Sequence, residues 1–336
     1  MVEVVASMST HSERHSVATQ LSPRTAVVAL GGNAITLEGQ PGTYDEMLAN
    51  CQSMVKSIAQ MCETGWRVVI THGNGPQVGN LAVQQDEAER LVPGQPLCAL
   101  GAMTQGLIGH LIETALLNEM GQADGLIVSV VTHVEVDPRD PAFENPTKPI
   151  GPFYSLEQAH ERSARTGQPI IEDAGRGYRI VVASPRPLRV LEREAIMTLV
   201  NKGFMVIAGG GGGIPVVDDH GTLRGIDAVI DKDRAAALLA TELAADALVL
   251  VTGVDSVLLD FGKPTQRELS VVAASEMRMH AQAGQFPAGS MGPKVEAALD
   301  FVDAGGDVAI ITSANLMSAS LDSLSGPGTH IVRSIG

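Results

Sequence analysis

Four apolar runs in this sequence each stop at a glycine turn, and that recurrence restricts the fold more than any other feature. Ala26-Val27-Val28-Ala29-Leu30 meets Gly31-Gly32-Asn33, and Trp66 to Thr71 meets His72-Gly73-Asn74-Gly75-Pro76. Met205 to Ala208 meets Gly209 to Gly213, and Ala247 to Val251 meets Thr252-Gly253. Short apolar runs bounded by glycine read as strands buried on both faces, as in a parallel sheet covered by helices. Between the first two runs, Thr43 and Glu46 form a capping box, and Met47, Cys51, Met54, Val55, Ile58 and Met61 recur at helical spacing up to Gly65. Strand, glycine turn, helix and strand make the punctuation of a βαβ unit.

The remaining elements follow the same logic. Val78 to Arg90 and Leu100 to Met120 read as helices, the second closed by Gly121, and Leu126 to Val131 as a strand. Pro138, Pro141, Pro146, Pro149 and Pro152 then exclude a helix or a central strand from Asp137 to Tyr154, so an insertion leaves the sheet there. Ser155 to Thr166 is a capped helix within it, and Ile180-Val181-Val182 a returning strand; such an excursion is placed to act as a lid. Glu192 to Lys202 is helical, and Asp231-Lys232-Asp233 leads into an alanine-rich helix running to Ala245. Pro293 is expected at the first position of a helix ending at Ala304, and Val308 to Thr312 is expected to close the sheet.

Composition sets the class. The chain has 336 residues, 44% hydrophobic but only 3% aromatic, so its core is aliphatic and suits a helix-covered sheet. A net charge of −15 repels a polyphosphate backbone at long range, which argues against nucleic acid as a partner. Cys51, Cys62 and Cys98 form no CxxC pair, and Cys51 and Cys62 are separated by about 16 Å of helix rise. They cannot bridge each other in place, and the expectation is a reducing, cytoplasmic setting. No run approaches the ~18 apolar residues of a membrane span. Residues 1–24, rich in serine and without hydrophobic periodicity, are expected to form a disordered extension.

The usual nucleotide fingerprints are absent. No G-x-x-x-x-G-K-[ST] occurs, and Ile214 stands where a G-x-G-x-x-G motif needs its third glycine. Neither H-E-x-x-H, G-x-S-x-G nor zinc-type Cys/His spacing is found, and no metal ligands are assigned. What remains is a set of glycine turns after buried strands, which in a parallel sheet share one edge, together with Lys232 and Lys294 near helix starts. Exposed amides and lysines suit an anion, and the constellation fits phosphoryl transfer. Taken singly, each lysine is more often a solvated surface group, and a glycine run is in some proteins only a hinge. Their joint occurrence carries the reading.

With those residues in view, the chain from about Thr25 onward resembles the carbamate kinases of the amino acid kinase family. The resemblance rests on Ala29-Leu30-Gly31-Gly32-Asn33-Ala34, Thr71 to Asn80, Asn145-Pro146-Thr147-Lys148-Pro149-Ile150-Gly151-Pro152 and Glu172 to Gly177. It rests also on the glycine run with Ile214-Pro215-Val216, on Val229 to Asp233, and on Gly289-Ser290-Met291-Gly292-Pro293-Lys294. The Asn-Pro-Thr-Lys-Pro insertion discriminates best, since the wider family lacks it.

The resemblance implies a three-layer αβα sandwich with an open, mainly parallel sheet and a small protruding lid subdomain at about 135–182. It implies a homodimer and reversible phosphoryl transfer between ATP and carbamate, giving ADP and carbamoyl phosphate. An N-terminal lobe, about 25–200, would hold carbamate, and a C-terminal lobe, about 201–336, would hold nucleotide. Lys148, Lys232, Asp233 and Lys294 would be catalytic. Gly31, Gly32, Asn33, Gly73, Asn74, Gly75, Gly210, Gly211 and Gly212 would bind substrate and phosphate. Thr252, Gly253, Gly289 and Met291, with Lys232 and Lys294, would line the nucleotide site, and Mg2+ would be held through the nucleotide phosphates. Tyr178 and Ser256 depart from the family pattern, which expects Trp and a larger residue there. A kinase for another small acid and a nucleotide-binding sensor without chemistry are the competing readings. The lid motif argues against the first, and the retained lysines against the second.

Overall fold

The computed structural model describes residues 23–121, 126–172, 175, 177–287 and 289–335; the side chains of Asn33 and Pro152 lie outside that description. The expected extension therefore lies almost wholly outside the described residues, as do Asp173, Ala174 and Arg176 of the glycine-flanked motif before Tyr178.

The strand runs are apolar throughout because each feeds two cores. In Thr25–Leu30, Val27 and Ala29 enter one core, while Ala26, Val28 and Leu30 enter the other. Val69 and Val68, Val206 and Ile207, and Leu248 and Val249 divide in the same way. Across the eight-stranded sheet the order is Val271–Ala273, Thr329–Val332, Val308–Ser313, Ala247–Thr252, Thr25–Leu30, Arg67–His72, Met205–Ile207 and Ile127–Ser129. All neighbours are parallel except Thr329–Val332 against Val308–Ser313. Val308–Ser313 does not close the sheet as expected: two further strands lie outside it. Val271–Ala273 spans only three residues, too short for an alternation to show in sequence.

Helices cover both faces, completing the three-layer αβα sandwich. Tyr44–Glu63, capped by Thr43 and Glu46 as the sequence requires, packs on one face with Leu97–Met120. Lys232–Glu242 and Met291–Asp303 pack on the other and against each other, and they bury Ala235, Ala236, Ala237, Ala297 and Ala298 in that core. Small side chains let two helices approach closely, which brings the starts of both to the same place. Met291–Asp303 begins two residues before Pro293, so that proline sits at the third position rather than the first. The missing N–H costs nothing there, because the first four amides of a helix have no intrahelical partner.

The insertion leaves the sheet as expected. Lys148–Tyr154, Tyr178–Val182 and Ile170–Glu172 form a separate antiparallel sheet, with Lys148–Tyr154 at its edge. Its prolines are tolerated because an edge strand has amides with no ladder partner. Leu156–Thr166, capped by Ser155 and Gln158, covers this sheet. The subdomain is moored to the body on two sides. Gly151 packs so closely on Gly79 of the Gly75–Ala88 helix that a Cβ at Gly79 would overlap its backbone, and Arg162 pairs with Asp86 on that same helix. A further small sheet joins Thr222–Gly225, Ile214–Asp219, His133–Val136 and Pro187–Val190.

Candidate active site

The carboxyl ends of Thr25–Leu30, Arg67–His72 and Ala247–Thr252 open on one cleft of about 1000 Å³. Its floor is backbone. A Cβ on Gly73 would stand 2.7 Å from Gly32 N and 3.0 Å from Lys232 Cδ, so these turns touch only because neither carries a side chain. A Gly73→Ala variant is therefore expected to lose about 1–3 kcal/mol in urea unfolding, because neither backbone can yield. Gly75→Ala, whose Cβ would meet nothing within 4 Å, should match the parent.

The five-glycine run is a tight turn and not a hinge. Gly209, Gly211, Gly212 and Gly213 have φ of 66°, 68°, 90° and 88°, a region in which side-chain-bearing residues are strained. Thr71 Oγ1 donates to the Gly209 carbonyl at 2.9 Å, and Gln105 Nε2 donates to the Gly210 carbonyl at 3.1 Å. Gly211 faces the cleft beside the Asn74 amide, whereas Gly210 lies against His72 and Gly212 against Ile230.

Charge gathers at the mouth of the Lys232–Glu242 helix. Asp231 caps it, accepting from the amides of Asp233 at 3.0 Å and Arg234 at 3.4 Å. Lys232 Nζ lies 2.5 Å from Asp233 Oδ1, and Lys294 Nζ lies 3.2 and 3.0 Å from the two Asp233 oxygens. Burial alone would raise the Asp233 carboxyl, but the two ammonium groups overcome it and hold it at about 2. Burial and the neighbouring Lys232 charge push Lys294 down to about 8, against the pull of Asp233. Lys232 loses charge stability through burial, yet Asp233 more than compensates and raises it. Lys148 reaches in from the protruding subdomain, and its Nζ donates to Asp231 Oδ2 at 2.7 Å. Three lysines against two carboxylates make this corner positive within a chain of net charge −15. Local fields of this kind concentrate anions in a cleft whatever the overall charge.

Of the residues singled out from sequence, Lys148, Lys232, Asp233 and Lys294 stand together at the cleft. Gly31, Gly32, Gly73, Asn74, Gly75 and Gly211 line it, as do Thr252, Gly253, Gly289 and Met291. Gly210 and Gly212 do not; they are buried behind Gly211. The Asn33 side chain lies outside the described residues. His72 is buried, with Nδ1 3.1 Å from the Gly73 carbonyl, and burial depresses it to about 4, so it is a neutral brace. Ser256 lines the cleft near Phe261 and Phe286. Tyr178 pairs across strands with Tyr154 and Glu172.

Sequence reasoning missed the braces. Thr104 accepts from the Asn74 amide at 2.7 Å, and Gln105 bonds Thr132 as well as Gly210. Two adjacent polar residues inside the otherwise apolar stretch 97–109 of the Leu97–Met120 helix were the available signal. It also took Asp231 only as a possible neighbour of Lys232, since the bond to Lys148 spans 83 positions.

A cleft at the carboxyl edge of an open αβα sheet, walled by glycine backbone and lined by lysines, defines a phosphotransferase of the amino acid kinase type. The chain belongs to the amino acid kinase family, whose model matches residues 24–313. Within it the chain is similar to carbamate kinases. It is 46% identical over 313 residues to the carbamate kinase of Thermococcus kodakarensis, covering 91% of this chain and 98% of that one. Carbamate kinase from Giardia lamblia bound to citric acid superposes with a TM-score of 0.87 at 40% identity, over 93% of this chain and 99% of that one. The same enzyme bound to AMP-PNP gives 0.84 at 42% identity, with the same coverage.

Proposed function

We propose that this protein is a carbamate kinase, catalysing ATP + carbamate = ADP + carbamoyl phosphate. The observation that carries the reading is the meeting of Lys148, from the Asn145-Pro146-Thr147-Lys148-Pro149 segment, with Lys232, Lys294 and the glycine turns in one cleft. In the ATP-forming direction, a terminal β-phosphate oxygen of ADP attacks the phosphorus of carbamoyl phosphate. The P–O bond to carbamate breaks, and carbamate leaves as an anion with its bonding pair. No proton moves, so no general base is needed, in keeping with a neutral, buried His72. The work left to the protein is placement and charge neutralisation.

Lys232 and Lys294, held apart by Asp233, would neutralise the equatorial oxygens of the moving phosphoryl group, and the amides of Gly32 and Gly211 would supply neutral donors; the Gly73 amide is already taken by the Leu30 carbonyl. Lys148 would meet the carbamoyl end and, with its subdomain, exclude water from a labile acyl phosphate. Thr252, Gly253, Gly289 and Met291 border the part of the cleft proposed for the nucleotide. Asp231 and Asp233 are already engaged by lysines, which favours Mg2+ held mainly by nucleotide oxygens, whose charge it would offset. Carbamate is assigned to the N-terminal lobe and nucleotide to the C-terminal lobe.

The physiological setting proposed is ATP synthesis by a cytoplasmic homodimer, during breakdown of carbamoyl phosphate derived from arginine by the deiminase route or from purines. No described helix is long and apolar enough to cross a membrane. Sedimentation should return twice the chain mass.

The test against other small acids is a panel. With ATP and Mg2+, ammonium bicarbonate should give ADP at least about 100-fold faster than N-acetylglutamate or acetate, because a site that hydrogen-bonds the carbamate amino group leaves its polar partners unpaired against a carboxylate that does not carry one. A faster rate with either alternative contradicts the assignment. A second expectation concerns pH. As pH rises through about 8, Lys294 loses its charge in the free enzyme, so kcat/KM for ADP should fall there. In Lys294→Arg the alkaline limb should move beyond the accessible range, because a guanidinium stays charged. A limb unmoved by that substitution would assign it elsewhere.

A further inference from the structure

The carboxylate of Asp231 is divided between two tasks. One oxygen, Oδ1, caps the helix that presents Lys232 and Asp233, accepting from the amides of Asp233 and Arg234. The other, Oδ2, accepts from Lys148 of the protruding subdomain at 2.7 Å. Asp231 is 8% exposed, so solvent does little to dilute this charge. Lys148 is its principal positive neighbour: burial and Asp233 would raise the Asp231 carboxyl, and Lys148, with a smaller share from Lys232, holds it below its ordinary value. Of the three cleft lysines, Lys148 is the one that Asp233 does not hold, and its side chain is 36% exposed against 15% for Lys232 and 11% for Lys294. Without Asp231 it would be a flexible chain at the rim.

The backbone repeats the link. The amide of Val229, two residues before Asp231, donates to the Ala183 carbonyl, just past the end of the Tyr178–Val182 strand. Val229 also packs on Ile150, Ile180 and Val182 in the core of the subdomain. Segment 229–231 therefore ties the protruding sheet to the start of the phosphate-facing helix, and Asp231 is where the tie becomes electrostatic.

We propose that Asp231 is a positioning residue for the phosphoryl transfer: it holds the Lys148 ammonium at the transfer site and couples the seating of the protruding subdomain to the helix bearing Lys232 and Asp233. This rests on the carbamate kinase reading. A lysine already seated spends little entropy when the substrate arrives, and the benefit is confined to the substrate that Lys148 touches.

Asp231→Asn is the informative change, because asparagine caps a helix as well as aspartate does but carries no charge for Lys148. The variant should unfold at nearly the parental temperature and bind ADP by calorimetry with a Kd within about 3-fold of the parent. Its kcat/KM for carbamoyl phosphate should fall by about 30-fold, the size expected for two charges in direct contact. In the Lys148→Ala background the same substitution should cost less than about 2-fold, since the partner is already gone. Asp231→Glu, which restores the charge, should recover part of the loss.

The outcomes separate cleanly. An equal loss in both backgrounds would make Asp231 a structural cap only and overturn the proposal, as would an undiminished kcat/KM in Asp231→Asn. If Asp231→Asn fails to fold, Asp231→Ser, which also caps a helix and carries no charge, supplies the same cycle with Lys148→Ala, and additivity there overturns the proposal too. A parent enzyme that forms no ATP from carbamoyl phosphate would instead sink the underlying functional reading.

Discussion

Asp233→Asn is expected to lose both activity and fold stability, and by the widest margin of any single change. The carboxylate stands between two buried ammonium groups, 2.5 Å from Lys232 and 3.0 Å from Lys294. Neutralising it leaves two like charges in a mostly buried corner. Breaking a buried ion pair from one side costs about 3–5 kcal/mol, because the partner remains buried and uncompensated. The same change releases both lysines from their geometry, and losing one preorganised charge donor already costs about 100- to 1,000-fold in turnover. A drop in turnover of about 1,000-fold or more is therefore expected, with a clearly lower urea midpoint. An unchanged midpoint with full activity would mean that Asp233 does not organise the pair. Acid should act in the same sense. A carboxyl held at about 2 contributes stability that is complete above its unfolded value near 3.8 and is lost as pH falls through 2.

Lys148→Ala should separate what Asp233→Asn combines. Its side chain is 36% exposed, and its partner Asp231 keeps two backbone amide donors when the lysine is gone. Folding should shift by no more than about 1 kcal/mol, as for other partly exposed pairs. Turnover should nevertheless fall by about 100- to 1,000-fold if, as proposed, its charge meets the reacting group. ADP binding measured by calorimetry should stay near the parental value. A rate within a few-fold of the parent would remove Lys148 from the transfer step, whereas a large loss of stability would recast it as a structural lysine.

On the proposed function, the body would hold the phosphoryl group and the protruding subdomain would complete the site. The division follows from packing. Lys232–Glu242 and Met291–Asp303 pack against each other and Asp233 bonds both Lys232 and Lys294, so one pair of lysines is rigid. The third rides on an edge strand whose prolines exclude it from the main sheet. A rigid pair suits a group that must be placed accurately, and a lysine on a separate subdomain suits one that must be enclosed after it enters.

Most of the frame was legible because its signals are local. The capping boxes of Thr43 and Ser155, the helical spacing from Met47 to Met61 and the apolar runs each concern neighbours within a turn or a strand. The outer sheet was not legible, since strands such as Val271–Ala273 are too short to show a period and Thr329–Val332 runs antiparallel to Val308–Ser313. Glycine turns were readable as a set, but not which glycine faces the ligand. Gly211 does, while Gly210 and Gly212 press on His72 and Ile230, a distinction set by backbone direction. The Pro293 position shows the same limit: proline is acceptable anywhere in a first turn, so its presence marks a helix start without fixing the residue. Lys148 with Asp231, and Gln105 with Gly210, depend on contacts across 83 and 105 positions, which no window of sequence can contain.

The central claim is that these glycine turns and lysines form one site that moves a phosphoryl group between carbamate and ADP. Its most direct test is incubation of the purified protein with carbamoyl phosphate, ADP and Mg2+, following ATP with luciferase beside a Lys148→Ala control. The structure leads us to expect sustained ATP formation by the parent and about 100-fold less by the control. No ATP above the protein-free background, or equal rates from the two proteins, would contradict it.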